Sequence, residues 1–260
     1  MERGFRVSPP ATVEPRTLRG KRALITGASR GLGRALCEVF SAQGADVAFN
    51  YSSDREGADQ TLAAIEGNGA RGLAFQASVL DDAALVRMVK EIESKWEGID
   101  ILVNNAGVSQ PLPLPLMEES DWDLVMDVNA KGQFMVSRAV LRGMIRRRGG
   151  AILNIGSLAG IKLIESPVHY AASKAAIKGF TQALAKEVAR YNVRVNCLAP
   201  GLLEEGVGQS LPEHRMREYL RHVALRRVGT LDEVAKFAAF LVSDRNSYMN
   251  GETILMDGGL

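Results

Sequence analysis

Two patterns of apolar and polar positions alternate along the chain from residue 21 onward. Short, nearly continuous apolar runs are typical of strands buried on both faces of a sheet, and segments with a helical apolar repeat are typical of amphipathic helices. The predicted strands are 21–26, 46–50, 72–77, 99–104, 151–156, 193–199 and 253–256. The predicted helices are 31–43, 54–67, 81–97, 121–148, 168–191 and 231–243. This alternation predicts an α/β fold, a doubly wound seven-stranded parallel sheet with helices on both faces.

Residues 1–19 lack either pattern. They contain Pro9, Pro10 and Pro15 among scattered charges, without the apolar core of a secretory signal. We therefore predict a flexible N-terminal extension over residues 1–19, part of which could pack on the body. One large domain would follow over residues 20–260.

Composition narrows the classes of function. A formal net charge of +2, with 46% apolar and 24% charged residues, is typical of a globular protein and indicates no general attraction to nucleic acid or membranes. No apolar run is long enough to span a bilayer. The two cysteines, Cys37 and Cys197, predict a reducing, cytoplasmic location with buried, inert thiols. Three histidines without a cysteine–histidine cluster predict no metal site.

A glycine cluster separates the first predicted strand from the first helix. Gly27, Gly31 and Gly33 have the spacing Gly-x-x-x-Gly-x-Gly. Such a turn lets backbone amides approach a phosphate closely, and the helix N-terminus adds partial positive charge at the same place. An ordinary strand–helix turn is the alternative. The preceding strand and following helix favour nucleotide binding.

Tyr170 and Lys174 lie four residues apart in an alanine-rich segment. Alanine favours helix, and residues four apart share one helix face. A neighbouring ammonium favours the ionised form of a phenol, which would make Tyr170 a proton donor and acceptor usable near neutral pH. A surface pair on an amphipathic helix is the alternative.

Taken together and in order, these motifs resemble the short-chain dehydrogenase/reductase family over roughly residues 20–260. The matching segments and residues are 26–33, 104–107, Asn129, Ser157, Tyr170, Lys174 and 200–201. Within the family the chain is most similar to the 3-oxoacyl-[acyl-carrier-protein] reductases, notably over 137–144 and 247–253. The resemblance implies a single-domain Rossmann fold and an NAD(P)-dependent oxidoreductase acting on CH–OH groups.

The resemblance also implies roles for four catalytic residues. Tyr170 would protonate the substrate oxygen, and Lys174 would hold the ribose hydroxyls of the cofactor. Ser157 would donate a hydrogen bond to the substrate oxygen. Asn129 would hold a water that links Lys174 to solvent. On spacing alone, Ser157 could instead cap a turn, and Asn129 could be a helix N-cap or turn residue.

Cofactor contacts are implied along the whole of one sheet edge. The candidates are Gly27, Ser29, Arg30, Gly31, Leu32, Gly33, Asn50, Tyr51, Ser52, Ser78, Val79, Asn105, Ala106, Gly107, Tyr170, Lys174, Pro200, Gly201 and Leu203. Residues 104–107 could instead be merely a turn after a strand.

The choice of cofactor is predicted from charge. An NAD site usually carries a carboxylate at the end of the second strand, for the ribose 2′-hydroxyl. Here that position is Asn50, which would not repel a 2′-phosphate, and Arg30 in the glycine turn could pair with one. We expect NADP(H). A solvated surface arginine is the alternative for Arg30.

Two positions depart from the family. Glu205 stands where many members have a threonine near the nicotinamide and phosphates, so the loop must turn this carboxylate away or bind differently. Ser78 stands where many members have Asp or Asn for the adenine ring. Both departures favour a specialised reductase.

Basic residues cluster on two predicted helices. They are Arg142, Arg146, Arg147, Arg148, Lys186 and Arg190. They could simply be solvated, or they could bind an acidic acyl carrier protein, with Arg142 and the Lys186 region placed near such a surface by resemblance. No aromatic stacking module accompanies them, so no nucleic-acid partner is predicted. The resemblance further implies a homotetramer in which 121–148 and 168–191 contact a neighbour.

Three functions are therefore considered. The first is NADPH-dependent reduction of a 3-oxoacyl thioester, in fatty acid or polyketide biosynthesis. The second acts on a sugar, a steroid or another small alcohol or ketone. The third is a nucleotide-sensing protein without turnover, which the intact catalytic residues argue against. The segment 202–225, with Met216, Tyr219 and Leu220, is expected to cover the substrate.

Overall fold

A computed structural model describes residues 16–206 and 212–260. Its seven strands are β1 (Arg22–Thr26), β2 (Asp46–Tyr51), β3 (Gly72–Gln76), β4 (Ile101–Asn104), β5 (Gly150–Ile155), β6 (Val193–Pro200) and β7 (Thr253–Met256). They form one sheet in the order β3-β2-β1-β4-β5-β6-β7, and every neighbouring pair is parallel. The predicted doubly wound parallel sheet is confirmed.

Within the described residues, eight α-helices accompany the sheet. They are α1 (Gly31–Ala42), α2 (Arg55–Gly67), α3 (Asp82–Trp96), α4 (Glu119–Met126), α5 (Gly132–Arg147), α6 (Val168–Val188), α7 (Glu213–His222) and α8 (Leu231–Val242). Short 3₁₀ turns lie at Leu114–Leu116 and Ala189–Tyr191. Of the helices in the described parts of the chain, none is long and apolar enough to cross a membrane.

The core has two layers because successive strand residues point to opposite faces of the sheet. Ile25 of β1 packs with side chains of α1, α2 and α8. The preceding residue, Leu24, packs on the other face with side chains of α3, α5 and α6. Both are fully buried. The nearly continuous apolar strand pattern therefore reflects a sheet covered on both sides.

The predicted helix 121–148 is wrong as a single element. It begins earlier, at Glu119, and a π-helical turn over Asp127–Lys131 separates α4 from α5. A π turn inserts one extra residue into the helical ladder and is frequent at functional sites. Here it contains Asn129, which is fully buried.

The predicted N-terminal extension lies mostly outside the described residues, since the structure describes none of residues 1–15. Its last part packs on the body: Leu18 is fully buried, and its N–H donates to the Gln43 carbonyl at 3.1 Å. This segment covers the end of α1.

The strand order of the sheet changes direction between β1 and β4, which are neighbours. Strands β2 and β3 extend one way from β1, and β4 to β7 extend the other way. In open α/β sheets the crevice beyond the carboxyl ends of the strands at such a switch point is where ligands bind. The glycine turn and the segment after β4 meet at this place.

Candidate active site

A cleft of about 330 Å³ opens at the carboxyl ends of the central strands. Among the predicted site residues, those on its lining are Leu32, Asn105, Gly107, Ser157, Tyr170, Lys174, Pro200, Gly201 and Leu203. Segments that lie far apart in sequence therefore share one site. The lining also includes Glu165, Glu205 and Tyr219.

The Tyr170–Lys174 pair lies on the first two turns of α6. The Lys174 Nζ donates a hydrogen bond to the Ile155 carbonyl at the end of β5, at 3.0 Å. It also lies 5.6 Å from the centroid of the Tyr170 ring. Only 5% of Lys174 is exposed. The end of β5 thus holds a largely buried ammonium beside the phenol.

Asn129 ties the loop after β4 to α6. Its Oδ1 accepts the Val108 N–H at 2.8 Å, and its Nδ2 donates to the Val108 carbonyl at 2.9 Å. The same Nδ2 donates to the Ser173 Oγ at 3.0 Å, and the Ser173 hydroxyl donates to the Tyr170 carbonyl at 2.8 Å. Ser173 was not among the predicted site residues, although its position between Tyr170 and Lys174 was a signal. A water on Asn129 would use the remaining Oδ1 lone pair or the main-chain carbonyl.

Ser157 follows β5 and lies on the lining of the cleft. Its Oγ accepts the Ala159 N–H at 3.2 Å, which is the turn contact considered as an alternative. A hydroxyl has two lone pairs and one proton, so this contact leaves the proton of Ser157 available to a ligand in the cleft.

The glycine turn leaves space for an anion at the start of α1. Gly31 has φ +55° and begins the helix. A Cβ at Gly33 would clash with the Gly27 carbonyl oxygen. The N-cap residue Arg30 makes no side-chain capping bond within the described residues. The first N–H groups of α1 are therefore free to bind a phosphate, and the site fits a dinucleotide pyrophosphate.

Thr26 and Asn105 join the glycine turn to the segment after β4. The Thr26 Oγ1 accepts the N–H groups of Asn105 and Ala106, each at 3.0 Å. The Asn105 Nδ2 donates to the carbonyls of Thr26 and Gly27 at 2.9 and 3.0 Å. Asn105 therefore supports the turn with its side chain. Thr26 was not among the predicted site residues, because its partners are remote in sequence.

The end of β2 carries no carboxylate but also offers no free amide. Asn50 is 2% exposed. Its Oδ1 accepts the Gly27 N–H at 3.3 Å, and its Nδ2 donates to the Ala77 carbonyl at 2.7 Å. Asn50 therefore lies beneath the turn as a support.

The other predicted contacts at this edge of the sheet differ in exposure. Tyr51 and Val79 are buried, whereas Arg30, Ser52 and Ser78 are exposed. Only the exposed side chains are open to a ligand here.

Helix α7 and two loops contribute to the lining of the cleft. The Tyr219 hydroxyl of α7 accepts the Leu202 N–H at 3.1 Å, and burial raises the pKa of Tyr219. Arg215 of α7 forms an ion pair with Glu165 in the loop before α6. Glu205 is exposed on the lining of the cleft. The predicted cover over 202–225 is thus a helix and a loop, and its residues 207–211 lie outside the described chain.

Neither cysteine offers a reactive thiol. Cys37 and Cys197 are buried. Burial raises the pKa of Cys197 to about 11, and it raises that of Cys37 as well. The titratable side chains on the cleft lining, within the described residues, are those of Tyr170, Lys174, Tyr219, Glu165 and Glu205.

The fold and the site define a nicotinamide-dependent oxidoreductase with a Rossmann fold. A family model described as enoyl-(acyl carrier protein) reductase matches residues 27–260. The chain belongs to the short-chain dehydrogenase/reductase family, and it is an NAD(P)-dependent oxidoreductase acting on CH–OH groups.

Curated relatives and solved structures cover nearly the whole chain. The 3-oxoacyl-[acyl-carrier-protein] reductase FabG of Thermotoga maritima is 40% identical over 94% of this chain and 98% of its own. The same-named protein of Staphylococcus aureus is 36% identical over 92% and 98%.

Two solved structures share the fold. A short-chain dehydrogenase from Burkholderia cenocepacia in complex with NADP has TM-score 0.87 and 34% identity, over 94% of this chain and 98% of its own. A variant of a Serratia marcescens short-chain dehydrogenase/reductase has TM-score 0.88 and 32% identity, with the same coverage.

Proposed function

We propose that the protein uses NADPH to reduce the carbonyl of a 3-oxoacyl thioester carried by an acyl carrier protein. The observation that carries this proposal is one cleft containing Ser157, Tyr170 and Lys174 in a chain 40% identical to a 3-oxoacyl-[acyl-carrier-protein] reductase. A bound nicotinamide cofactor would supply the hydride.

The residues of the cleft would manage the proton and the developing charge. The Ser157 hydroxyl donates a hydrogen bond to the substrate carbonyl oxygen, and the Tyr170 phenol transfers its proton to that oxygen. Lys174, anchored on the Ile155 carbonyl, holds positive charge beside the phenol and binds the ribose hydroxyls. Asn129 holds the water that returns a proton toward Tyr170.

The preference for NADPH rests on charge at the far end of the site. No carboxylate stands at the end of β2 to repel a 2′-phosphate, since Asn50 occupies that position. Arg30 is exposed beside the N-terminus of α1. A charge-assisted bond between a guanidinium and a phosphate is among the stronger polar contacts in proteins.

Arg30→Ala tests this preference. It should weaken NADPH binding by about 1.5–3 kcal/mol and leave NADH almost unchanged, as measured by fluorescence titration of both cofactors. Arg87→Ala, at an exposed arginine of α3, is the matched control and should change neither. Equal weakening of both cofactors by Arg30→Ala would remove the assigned role.

The carrier protein is proposed to bind the basic surface formed by α5 and α6. Arg146 and Arg147 already pair with Glu93, and Arg148 donates to the Arg190 carbonyl. Arg142 and Lys186 are exposed and take part in none of the ion pairs within the described residues.

The basic surface lies far from the Tyr170 phenol, where the proposed proton transfer takes place. Lys186 lies about 24 Å beyond Tyr170 along α6, at 1.5 Å rise per residue. Charges there can act on docking without touching the reaction.

Charge reversal at both positions separates docking from chemistry. Arg142→Glu with Lys186→Glu should raise KM for the carrier-bound substrate about tenfold and leave an N-acetylcysteamine thioester unaffected. Exposed charges are screened beyond about 8 Å at physiological ionic strength, so the effect should shrink as salt rises. Arg245→Glu, after α8, is the control. If both substrates respond alike, the basic surface is not a docking site.

A second candidate function is reduction of another small ketone, or oxidation of the corresponding alcohol. The observation that favours it is Glu205 on the cleft lining, where many family members have a threonine. A panel of 3-oxoacyl thioesters, diketones, steroids and sugars, assayed with NADPH and NADH, distinguishes the two. Turnover of the thioesters at least tenfold above all others supports the first proposal, and the reverse supports the second.

A further inference from the structure

His169 directly precedes Tyr170 in sequence, is buried, and forms a hydrogen bond with the backbone of Tyr170 through its imidazole ring. It is 0% exposed. Its Nδ1 accepts the Tyr170 N–H at 2.9 Å. Helix α6 begins at Val168, and its N-cap is Pro167, which has no side-chain hydrogen-bonding group. The N–H groups in the first turn of a helix lack intrahelical partners. The imidazole therefore does what a capping side chain usually does.

Both main-chain polar groups of Tyr170 are thus held by side chains. His169 holds its N–H at 2.9 Å. Ser173 holds its carbonyl at 2.8 Å and continues to the buried Asn129. The first turn of a helix frays easily, and a misplacement of about 1 Å can cost up to 10²-fold in rate. The anchoring of the backbone sets where the phenol enters the cleft.

The bond also sets the protonation state of the imidazole. An Nδ1 that accepts a hydrogen bond carries no proton, so the neutral ring has its proton on Nε2. That Nε2 is buried and has no partner among the residues that the structure describes. Both ring nitrogens of an imidazolium are donors, so the charged ring cannot accept the Tyr170 N–H.

The surroundings favour the neutral ring. Burial lowers the pKa of His169 below its ordinary value of 6.5, and the Asp121 carboxylate of α4 opposes this in part. Tyr170 and Lys174 follow His169 on its own helix, and Glu165 lies in the loop before it.

We propose that His169 is a positioning residue, whose neutral imidazole fixes the first turn of α6 and with it the Tyr170 phenol. Protonation of Nδ1 breaks the bond to the Tyr170 N–H and loosens that turn. The proposal rests on the proposed function, in which Tyr170 is the proton donor.

Two variants distinguish the role of residue 169 as a hydrogen-bond acceptor from its ability to become charged. In His169→Asn the side-chain Oδ1 can accept the Tyr170 N–H but cannot titrate. In His169→Leu a side chain of similar bulk has no acceptor. At pH 7.5 the Asn variant should keep kcat within about threefold. The Leu variant should lose about five- to tenfold in kcat with KM and cofactor Kd unchanged, which matches the typical cost of a lost helix cap.

The pH profile gives a readout that a purely structural role would not move. For the wild type, kcat should fall below pH 6.5 as His169 takes up a proton. His169→Asn should abolish that acid limb. His222→Asn, at an exposed histidine of α7, is the control and should keep it. An acid limb retained in His169→Asn, or a His169→Leu variant with wild-type kcat, overturns the proposal.

A measurement without substrate keeps this inference separate from the proposed function. The chain has three histidines, so the imidazole resonance lost in His169→Asn identifies His169 against His214 and His222. In protein labelled with ¹⁵N-tyrosine, the Tyr170 amide shift should follow the same titration, with a midpoint below 6.5. An amide shift independent of that titration overturns the inference even if turnover is found. Absence of turnover on every carbonyl tested would instead refute the proposed function alone.

Discussion

Tyr170 reaches the cleft from a helix turn held at its N–H, at its carbonyl and at the neighbouring Lys174 ammonium. Tyr170→Phe removes only the phenolic oxygen, so the backbone anchoring and the cofactor contacts should persist. General acid–base groups contribute roughly 10²–10⁴-fold, and a loss of this size in kcat is expected.

Cofactor titration and thermal unfolding of Tyr170→Phe should match the wild type. Tyr191→Phe, at the 3₁₀ turn after α6, is the matched control and should keep full activity. Activity of Tyr170→Phe within a few-fold of wild type would contradict the assigned proton donor.

Glu205 places an exposed carboxylate on the lining of the cleft that is to receive a pyrophosphate. Two like charges about 4 Å apart in water repel by about 1 kcal/mol, and less at longer range. Glu205→Gln should therefore tighten cofactor binding about two- to fivefold at low salt, measured as Kd by titration. Glu205→Asp keeps the charge and should not. Unchanged Kd in the Gln variant would mean that the loop keeps this carboxylate away from the phosphates.

Among single residues, those in recognisable motifs were predicted from the sequence, and those that support them through hydrogen bonds were missed. Spacing on one helix was enough to pair Tyr170 with Lys174. Thr26, Ser173 and His169 were missed because their side chains make hydrogen bonds to backbone groups, and hydroxyls and imidazoles usually serve ordinary turns and helix starts. For Thr26 those backbone groups follow β4, far along the chain.

Among the elements, α8 has a complete capping box at its start. The Thr230 Oγ1 accepts the Glu233 N–H at 3.1 Å, and the Glu233 carboxylate accepts the Thr230 N–H at 2.9 Å. Loss of such a cap typically costs about 1 kcal/mol. Thr230→Ala should lower the free energy of unfolding by about that amount in urea titration. Thr230→Ser keeps the hydroxyl and should retain most of this stabilising free energy. Equal losses in both variants would therefore exclude the cap as the cause.

The same cap should make the stability of α8 depend on pH. The hydrogen bond from Arg227 and those from Thr230 lower the pKa of Glu233 from 4.5 to about 2. The folded state therefore holds the ionised carboxylate more strongly than the unfolded state does. This contribution is present above pH 4.5 and is lost as pH falls toward 2.

Glu233→Gln should unfold at a lower temperature than the wild type at pH 7, and the gap between their Tm values should narrow as pH falls from 4.5 to 3. A gap that stays constant over this range would assign the effect to packing.

Elements were predicted well where their apolar pattern was strong and poorly where it was not. All seven strands and the helices that cover them follow from buried faces. The π turn over Asp127–Lys131 was missed because one inserted residue hardly changes the apolar repeat. Helix α7 was missed because it is short and none of its residues is buried.

For the whole molecule, the homotetramer that the family resemblance implies stays a prediction, and several large apolar side chains remain exposed on the described part of the chain. Trp122, Leu124 and Phe134 are 39–45% exposed on α4 and α5, and Tyr248 and Leu255 are 99% and 37% exposed near β7. Large exposed apolar groups that cluster often mark subunit contacts. Light scattering should give four times the chain mass of 28.1 kDa.

Phe134→Glu should convert the tetramer into smaller species, because a carboxylate would be buried in the contact. Val86→Glu, at an exposed apolar side chain of α3, is the control and should leave the mass unchanged. A monomer at micromolar concentration would refute the prediction.

The adjacency of β1 and β4 has a consequence for the order in which the molecule can assemble during synthesis. β1 gains a partner on one edge as soon as β2 is made, but its other edge stays unpaired until residues 101–104 arrive. An unpaired strand edge is a template for wrong pairing. The glycine turn is completed only with Asn105. The Tyr170 phenol arrives later still, on a helix that packs on β6 and is hydrogen-bonded to β5. In a nascent chain, the glycine turn and the Tyr170 helix therefore both stay incomplete until most of the sheet has been synthesised.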